Sequence, residues 1–283
     1  MNESSNISTD KAGFLKICLF FLGLIVLIIV TMGAFILTFR TGDLRLLKAE
    51  ESYRRGEISS TIAERADLFN SALALFLELN EEYHPVFGSG KLAYNIGNTY
   101  FQLGEYPLSI LYYVRAERLM PRSKSVQNNL ELVRDKLGLK EQENRSLFDF
   151  ILLEPFLSFP ERLQLFFVLA FVSLLTASAW LWEKKQWVGR IAILCLSLTV
   201  LMLINLGVSY YFSPLEAILV HAVEPRREAG MEYTKVGDRP ISGGTILEVV
   251  GASNDGKWLK VAVIDDEFGY IPGNALKLIS GMP

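Results

Sequence analysis

GKLAYNIGNTYFQLGEYPLSILYYVRAERLMPRS, residues 90–123, is the stretch whose reading decides the fold. Small residues stand where two antiparallel helices would cross closely, at Gly97, Ser109 and Ala116, with Ile96, Tyr100 and Tyr113 to fill the space beside them. Gly104 separates the two halves, at a turn where a left-handed backbone favours a residue without a Cβ. Pro121 lacks an amide hydrogen and clashes with the preceding turn, so it ends the second helix. One such hairpin cannot bury its own apolar faces, which predicts neighbours on both sides.

Those neighbours are visible. Residues 44–56 and 63–83 read as two helices, with Ala72, Phe76 and Leu79 at small, aromatic and apolar positions, and residues 59–61 read as an insertion between them. Downstream, Val126, Leu130, Val133 and Leu137 recur at helical spacing among charged residues, as a capping helix requires. The spacing Ala93-x2-Ile96-Gly97-x2-Tyr100, Ser109-x3-Tyr113-x2-Ala116, Pro121 resembles the tetratricopeptide repeat, every signature position but Ala93 fitting by type. The resemblance implies an α–α superhelix over residues 40–138, two repeats and a cap, whose first helices line a concave face. Matching the pattern puts Lys91, Tyr94, Asn98 and Gln102 on that face, with Asn128 from the cap. Two readings stay open for these polar groups: a solvated helix surface, or a groove for a partner's peptide segment.

Composition calls for membrane segments, since the chain is 51% apolar with a mean hydropathy of +0.28. A net charge of −3 offers no basic face for nucleic acid. Residues 17–39, 163–182 and 191–212 carry no charge, and each reaches the roughly 20 helical residues that cross a hydrocarbon core. The first run exceeds the roughly 7–15 apolar residues of a cleaved signal peptide and lacks an A-x-A site, which favours an uncleaved anchor. Trp180, Trp182 and Trp187 at one end of the later pair, and Tyr210 and Tyr211 at the other, suit interfacial belts.

Orientation follows from basic residues in short loops. Lys184, Lys185 and Arg190 make residues 183–190 the only net-positive segment. Placing that loop in the cytoplasm gives a cytoplasmic tail (1–13), an anchor span (14–39), a translocated helical module (40–138), a juxtamembrane linker (139–161), two further spans (162–182 and 191–212) and a translocated C-terminal module (213–283). Arg40, Arg45, Lys48, Arg54 and Arg55 after the first span favour the reverse, but long domains translocate largely regardless of charge. Within the linker, residues 140–145 are charged and residues 147–159 are apolar yet broken by Asp149, Glu154 and Pro155, and are expected against the membrane surface or the last helix of the helical module.

Beyond residue 212 the period changes to two. Residues 217–222, 245–251, 257–264 and 268–271 read as strands, punctuated by Gly243-Gly244, Asn254-Asp255-Gly256 and Asp265-Asp266. Gly256-Lys257-Trp258 followed by Gly269-Tyr270-Ile271-Pro272 resembles a bacterial SH3-like domain, with Tyr270 in place of the more usual Trp. This resemblance implies a small all-β barrel. Trp258 and Tyr270 then form either an outer aromatic patch for a peptide or cell-wall ligand, or a cover for the barrel's edge.

No catalytic, cofactor-binding or metal-ligating set is expected. His84 and His221 are the only histidines, and Cys18 and Cys195 lie in apolar runs. Phosphate-loop, nucleophile-elbow and zincin motifs are missing. Gln164 and Asn205 are the only polar side chains beyond hydroxyls within the spans, a poor basis for a transport pathway. The order of segments, with Tyr94 to Tyr100 and Asn129-Leu130-Glu131, resembles the BatE proteins of bacterial aerotolerance (Bat) operons. That resemblance implies a multi-pass inner-membrane protein with soluble parts facing the periplasm, a non-enzymatic scaffold or adaptor. Its implied partners are membrane-anchored von Willebrand A-type Bat proteins in an envelope or oxidative-stress complex. The alternative is an envelope anchor whose SH3-like module binds peptidoglycan.

Overall fold

A computed structural model describes residues 43–83, 89–139, 151–237, 239–263 and 267–279, with Leu22, Gly23, Ile25, Val26, Ile29, Val30 and Gly33. Most of the expected first span, the linker at 140–150 and the Asp265-Asp266 turn lie outside the described residues. The chain divides into two compact units, Asp43–Ser158 with Ser213–Pro283, and Met1–Gly42 with Phe159–Phe212.

In the first of these units, five helices among the described residues precede the sheet: α1 (Leu44–Ile58), α2 (Ile62–Tyr83), α3 (Gly90–Gln102), α4 (Tyr106–Leu119) and α5 (Lys124–Lys136). Asp43 caps α1 by accepting the Arg45 amide at 2.8 Å, and Ser89 caps α3 by accepting that of Leu92 at 3.3 Å. Residues 59–61 are not an insertion. Helix α1 runs to Ile58, so they are simply the connector, equal in length to residues 103–105 between α3 and α4. The Ser59 hydroxyl donates to Glu64 Oε2 at 2.8 Å and steadies the turn.

Close helix crossings follow from the small residues. A Cβ on Gly97 would stand 2.6 Å from Tyr113 Cδ1, and one on Gly56 would stand 2.9 Å from Phe69 Cε1. Ser109 Oγ donates to the Gly97 carbonyl at 2.9 Å, tying α4 to α3. Gly104 adopts φ +82°, the left-handed turn expected between them. Helix α4 is buried nearly all round, at Ser109 to Val114 and at Ala116, so it needs cover on every side.

The C-terminal part supplies some of that cover. Strands β1 (Glu216–Leu219), β2 (Ile246–Ala252), β3 (Trp258–Ala262), β4 (Phe268–Pro272) and β5 (Leu276–Leu278) form one antiparallel sheet in the order β4-β3-β2-β1-β5. It is open, not the closed barrel that the hairpin pattern suggests. A one-turn 3₁₀ helix, Gly273–Ala275, swings the chain across to β5 beside β1, a strand too short to show an alternation. The Asn254-Asp255-Gly256 turn forms as read, with Gly256 at φ +69° and Asp255 Oδ1 accepting from the Ser253 hydroxyl at 2.6 Å.

An open sheet has edges that must be blocked. On β4, the Tyr270 amide and carbonyl are both taken by Arg226, at 2.7 and 2.9 Å, and Pro272 has no amide to offer. On the β5 side, Arg115 of α4 donates Nε to the Ile279 carbonyl at 2.9 Å and Nη2 to that of Leu278 at 2.8 Å. Arg118 and Glu216 add an ion pair. Strand β1 lies between two cores. Ala217 and Leu219 join Leu247, Val261 and Ile271, whereas Ile218, with Ile279, joins the core of the helices. Gly244 fits close to α4, where a Cβ would meet Leu137 at 2.7 Å and Ile110 at 3.0 Å. The helical part and the sheet, read from the sequence as separate modules, therefore pack as one body.

The other unit contains α6 (Phe159–Glu183) and α7 (Gln186–Phe212), the two helices among the described residues that are long and apolar enough to cross a membrane. At about 1.5 Å per residue they are about 38 and 40 Å long, against a hydrocarbon core of about 30 Å. The loop expected at 183–190 is shorter, because α6 continues to Glu183 and α7 starts at Gln186, with Lys184 turning at φ +52°. A Cβ on Gly189 would stand 2.7 Å from Trp180 Nε1, which explains the close approach there. The hydroxyls of Ser173 and Thr199 meet at 2.9 Å between the helices, and Asn205 accepts from Arg162 at 3.4 Å. The described positions within residues 22–33 are helical, and Gly23 packs against Leu174.

The Gly97–Tyr113 contact generates a direct prediction. Gly97→Ala overpacks the α3–α4 crossing and lowers stability by about 1–3 kcal/mol. Thermal unfolding of the full chain in mild detergent, followed by circular dichroism, measures it; an unchanged midpoint counts against the crossing.

Candidate functional site

The i, i+3, i+4 spacing of Lys91, Tyr94, Asn98 and Gln102 places them along one side of α3. Three helices converge there. Tyr113 of α4 donates its hydroxyl to Asn98 Oδ1 at 2.7 Å, and Asn129 Nδ2 of α5 donates to the same oxygen at 2.9 Å and to the Tyr94 hydroxyl at 3.1 Å. The Tyr94 and Tyr113 rings lie 5.9 Å apart. From α1, Tyr53 packs on Phe69 at 5.3 Å and reaches Gln102.

Asn128 of the cap is exposed, and its neighbour Asn129, not singled out for the groove in the sequence, joins the network. The physical reason lies in α5, whose inward side is set by Val126, Leu130 and Val133. Asn129 follows Val126 by three residues and shares its side, whereas Asn128 lies roughly 160–200° round from Val126 and Leu130. That signal is present in the sequence, and the repeat register alone overrides it.

Other sequence-selected residues separate into three groups. Ile96, Gly97, Ser109, Tyr113, Ala116 and Pro121 are buried. Tyr100 is half-buried and stacks on Tyr112 of α4, centroids 5.6 Å apart. Trp258 and Tyr270 are half-buried on strands β3 and β4, paired with Pro272 and Lys260 respectively, which puts them on one face without ring contact among the described residues. Lys91 and Gln102 are exposed, while Tyr94 and Asn98 are half-buried.

Beside the network lies a pocket of about 240 Å³ lined by Glu50, Tyr53, Phe76, Asn95 and Asn98. Glu50, Tyr53 and Asn95 escape the sequence reading because Leu46, Ala49 and Tyr53 repeat at a spacing that signals core. Burial pushes the Tyr53 phenol up to about 12, against the lowering hydrogen bond with Gln102, and burial likewise raises Tyr113. The site therefore holds neutral phenols and amides, with carboxylate at one rim. Among the described residues no group of three or more His, Cys, Asp or Glu is placed to hold a metal.

Compared with protein-family models, with curated proteins and with solved structures, the chain matches none.

Burial of the phenols makes stability depend on pH. Tyr53 and Tyr100 titrate at about 12 when folded, against about 10 for an unperturbed tyrosine. The folded chain thus keeps protons that the unfolded chain releases. Stability is fully present below about pH 10 and is lost as pH rises from there through about 12. Urea midpoints of the full chain in detergent at about pH 9 and about pH 11.5 measure the fall, which Tyr53→Phe and Tyr100→Phe each flatten.

Proposed function

We propose that the chain is a membrane-anchored scaffold, a non-enzymatic adaptor that gathers partner proteins at a bilayer. Helices α1 to α5 are read as two tetratricopeptide-type repeats and a cap, and the sheet as an SH3-like module with an open edge. The single observation that carries this reading is the amide–phenol network of Tyr94, Asn98, Tyr113 and Asn129. It preorganises hydrogen-bonding groups along a groove, which is what recognition of a peptide backbone requires. Lys91 and Gln102 extend that surface.

The membrane reading is supported by chain connectivity. Residues 43–158 and 213–283 pack as one unit, and the two apolar helices lie between them in sequence. A chain that leaves a folded body and returns to it must cross a bilayer an even number of times, so a hairpin satisfies both facts. With the lysine-bearing turn in the cytoplasm and an anchor span at the start, the soluble body faces the periplasm of a bacterial inner membrane. The resemblance to BatE proteins then makes membrane-anchored von Willebrand A-type Bat proteins the partners, in an envelope or oxidative-stress complex. A second reading, an envelope anchor that binds peptidoglycan, rests on Trp258 and Tyr270 sharing one face of β3 and β4.

Orientation is checked with a membrane-impermeant thiol reagent on intact cells, after Cys18 and Cys195 are replaced by serine. Single cysteines at the exposed positions Lys124 and Asn254 react, and one at Gln186 does not; labelling at Gln186 defeats the topology. Function is checked by cross-linking and co-purification of the full chain in mild detergent. Lys91→Ala combined with Tyr94→Phe, which keeps the ring beside Tyr113, weakens recovery of the membrane partners while the unfolding midpoint stays close to that of the native chain. Sedimentation with purified cell wall, lost on Trp258→Ala, would favour the anchor instead.

A further inference from the structure

The pocket beside the amide network has a chemistry of its own. Phe76, only 1% exposed, forms its floor and Tyr53 one wall, with Asn95 and Asn98 on α3. Glu50 precedes Tyr53 by three residues on α1, so its carboxylate and the phenol ring share a side of the helix. At about 240 Å³ the pocket is smaller than the roughly 300–1,000 Å³ of small-molecule sites and is sized for a side chain.

Its charge is one-sided. No cation lines the pocket. Glu50 is exposed and enters none of the ion pairs among the described residues, whereas its neighbour Glu51 is paired with Arg54. Asn98 spends its carbonyl oxygen on Tyr113 and Asn129, which leaves its amide hydrogens to bond a carbonyl. Two aromatic rings attract a cation through their π faces, and a long aliphatic stem can cover them while its charged head stays at the open rim. An acidic side chain would be repelled by Glu50, and an apolar one would strip it of water without pairing it.

We propose that this pocket takes a lysine or arginine side chain from the partner segment lying in the groove, with Glu50 as its counter-ion. The proposal rests on the groove reading above and names the partner's chemistry.

The probes are immobilised nonapeptides, acetylated and amidated, identical except for a central Lys, Arg, Gln, Leu or Glu. The full chain is applied in mild detergent at low ionic strength, where an exposed charge pair is least screened. Lys and Arg peptides retain about tenfold more chain than the other three. Glu50→Gln abolishes that preference, and Glu51→Gln, a change on the same exposed helix, leaves it intact. Equal retention of all five peptides, or a preference that survives Glu50→Gln, overturns the basic-side-chain pocket. The groove reading still stands in that case if Lys91→Ala with Tyr94→Phe lowers retention of every peptide. Retention of none overturns both.

Discussion

The body formed by residues 43–158 and 213–279 depends on one constraint: α4 is apolar on nearly every side and must be covered on every side. Ser109, Tyr113 and Ala116 turn toward the crossing with α3, Tyr112 stacks on Tyr100, and Ile110 meets the loop at Gly244. No single neighbour can satisfy such a helix. Its cover comes from α3, from α5 and from a strand that lies far away in sequence, Glu216–Leu219. A long detour of chain separates α4 from that strand, so burying it ties the two ends of the molecule into one body.

The polar groups around α4 follow from the same burial. Arg115 is drawn into the junction, where burial lowers its guanidinium from the ordinary value and its ring partner Tyr112 is raised. Burying a cation is costly unless its hydrogens are satisfied. Arg115 meets that demand by donating to the Leu278 and Ile279 carbonyls and stacking at 5.0 Å over Tyr112. The same guanidinium thereby stops the β5 edge from accepting another strand. On the opposite side, Tyr113 directs its hydroxyl to Asn98 and joins the amide–phenol network. One helix thus positions both the docking of the sheet and the candidate binding surface.

Much of this was legible from particular residues. Gly97, Ser109 and Tyr113 announced the α3–α4 crossing because close helix contact requires small side chains at helical spacing. Gly104, Asn254-Asp255-Gly256 and Pro121 marked turns and ends because their backbone chemistry is local. The continuous apolar run Ala217-Ile218-Leu219-Val220 carried a further signal, since a strand buried on both faces loses its alternation. Read as one short strand of a separate small barrel, that run concealed the junction with the helices. Strand β5 was illegible for another reason: three residues hold too little pattern, and it exists through pairing with β1. Asn129, which joins the amide–phenol network, was passed over for Asn128, because a repeat template was followed where the rotation of α5 about its own axis places Asn129 beside Val126.

The amino-acid sequence by itself determined the helices, their caps and turns, the two long apolar segments and the alternating strands, all of which depend on neighbours a few residues apart. Tertiary structure alone decided that the sheet stays open, that Ile218 and Ile279 join the core of the helices, and that Glu50 stands beside Asn98 at one pocket. Those outcomes depend on which distant surfaces exclude water together, and burial is a property of the packed chain that no local spacing encodes.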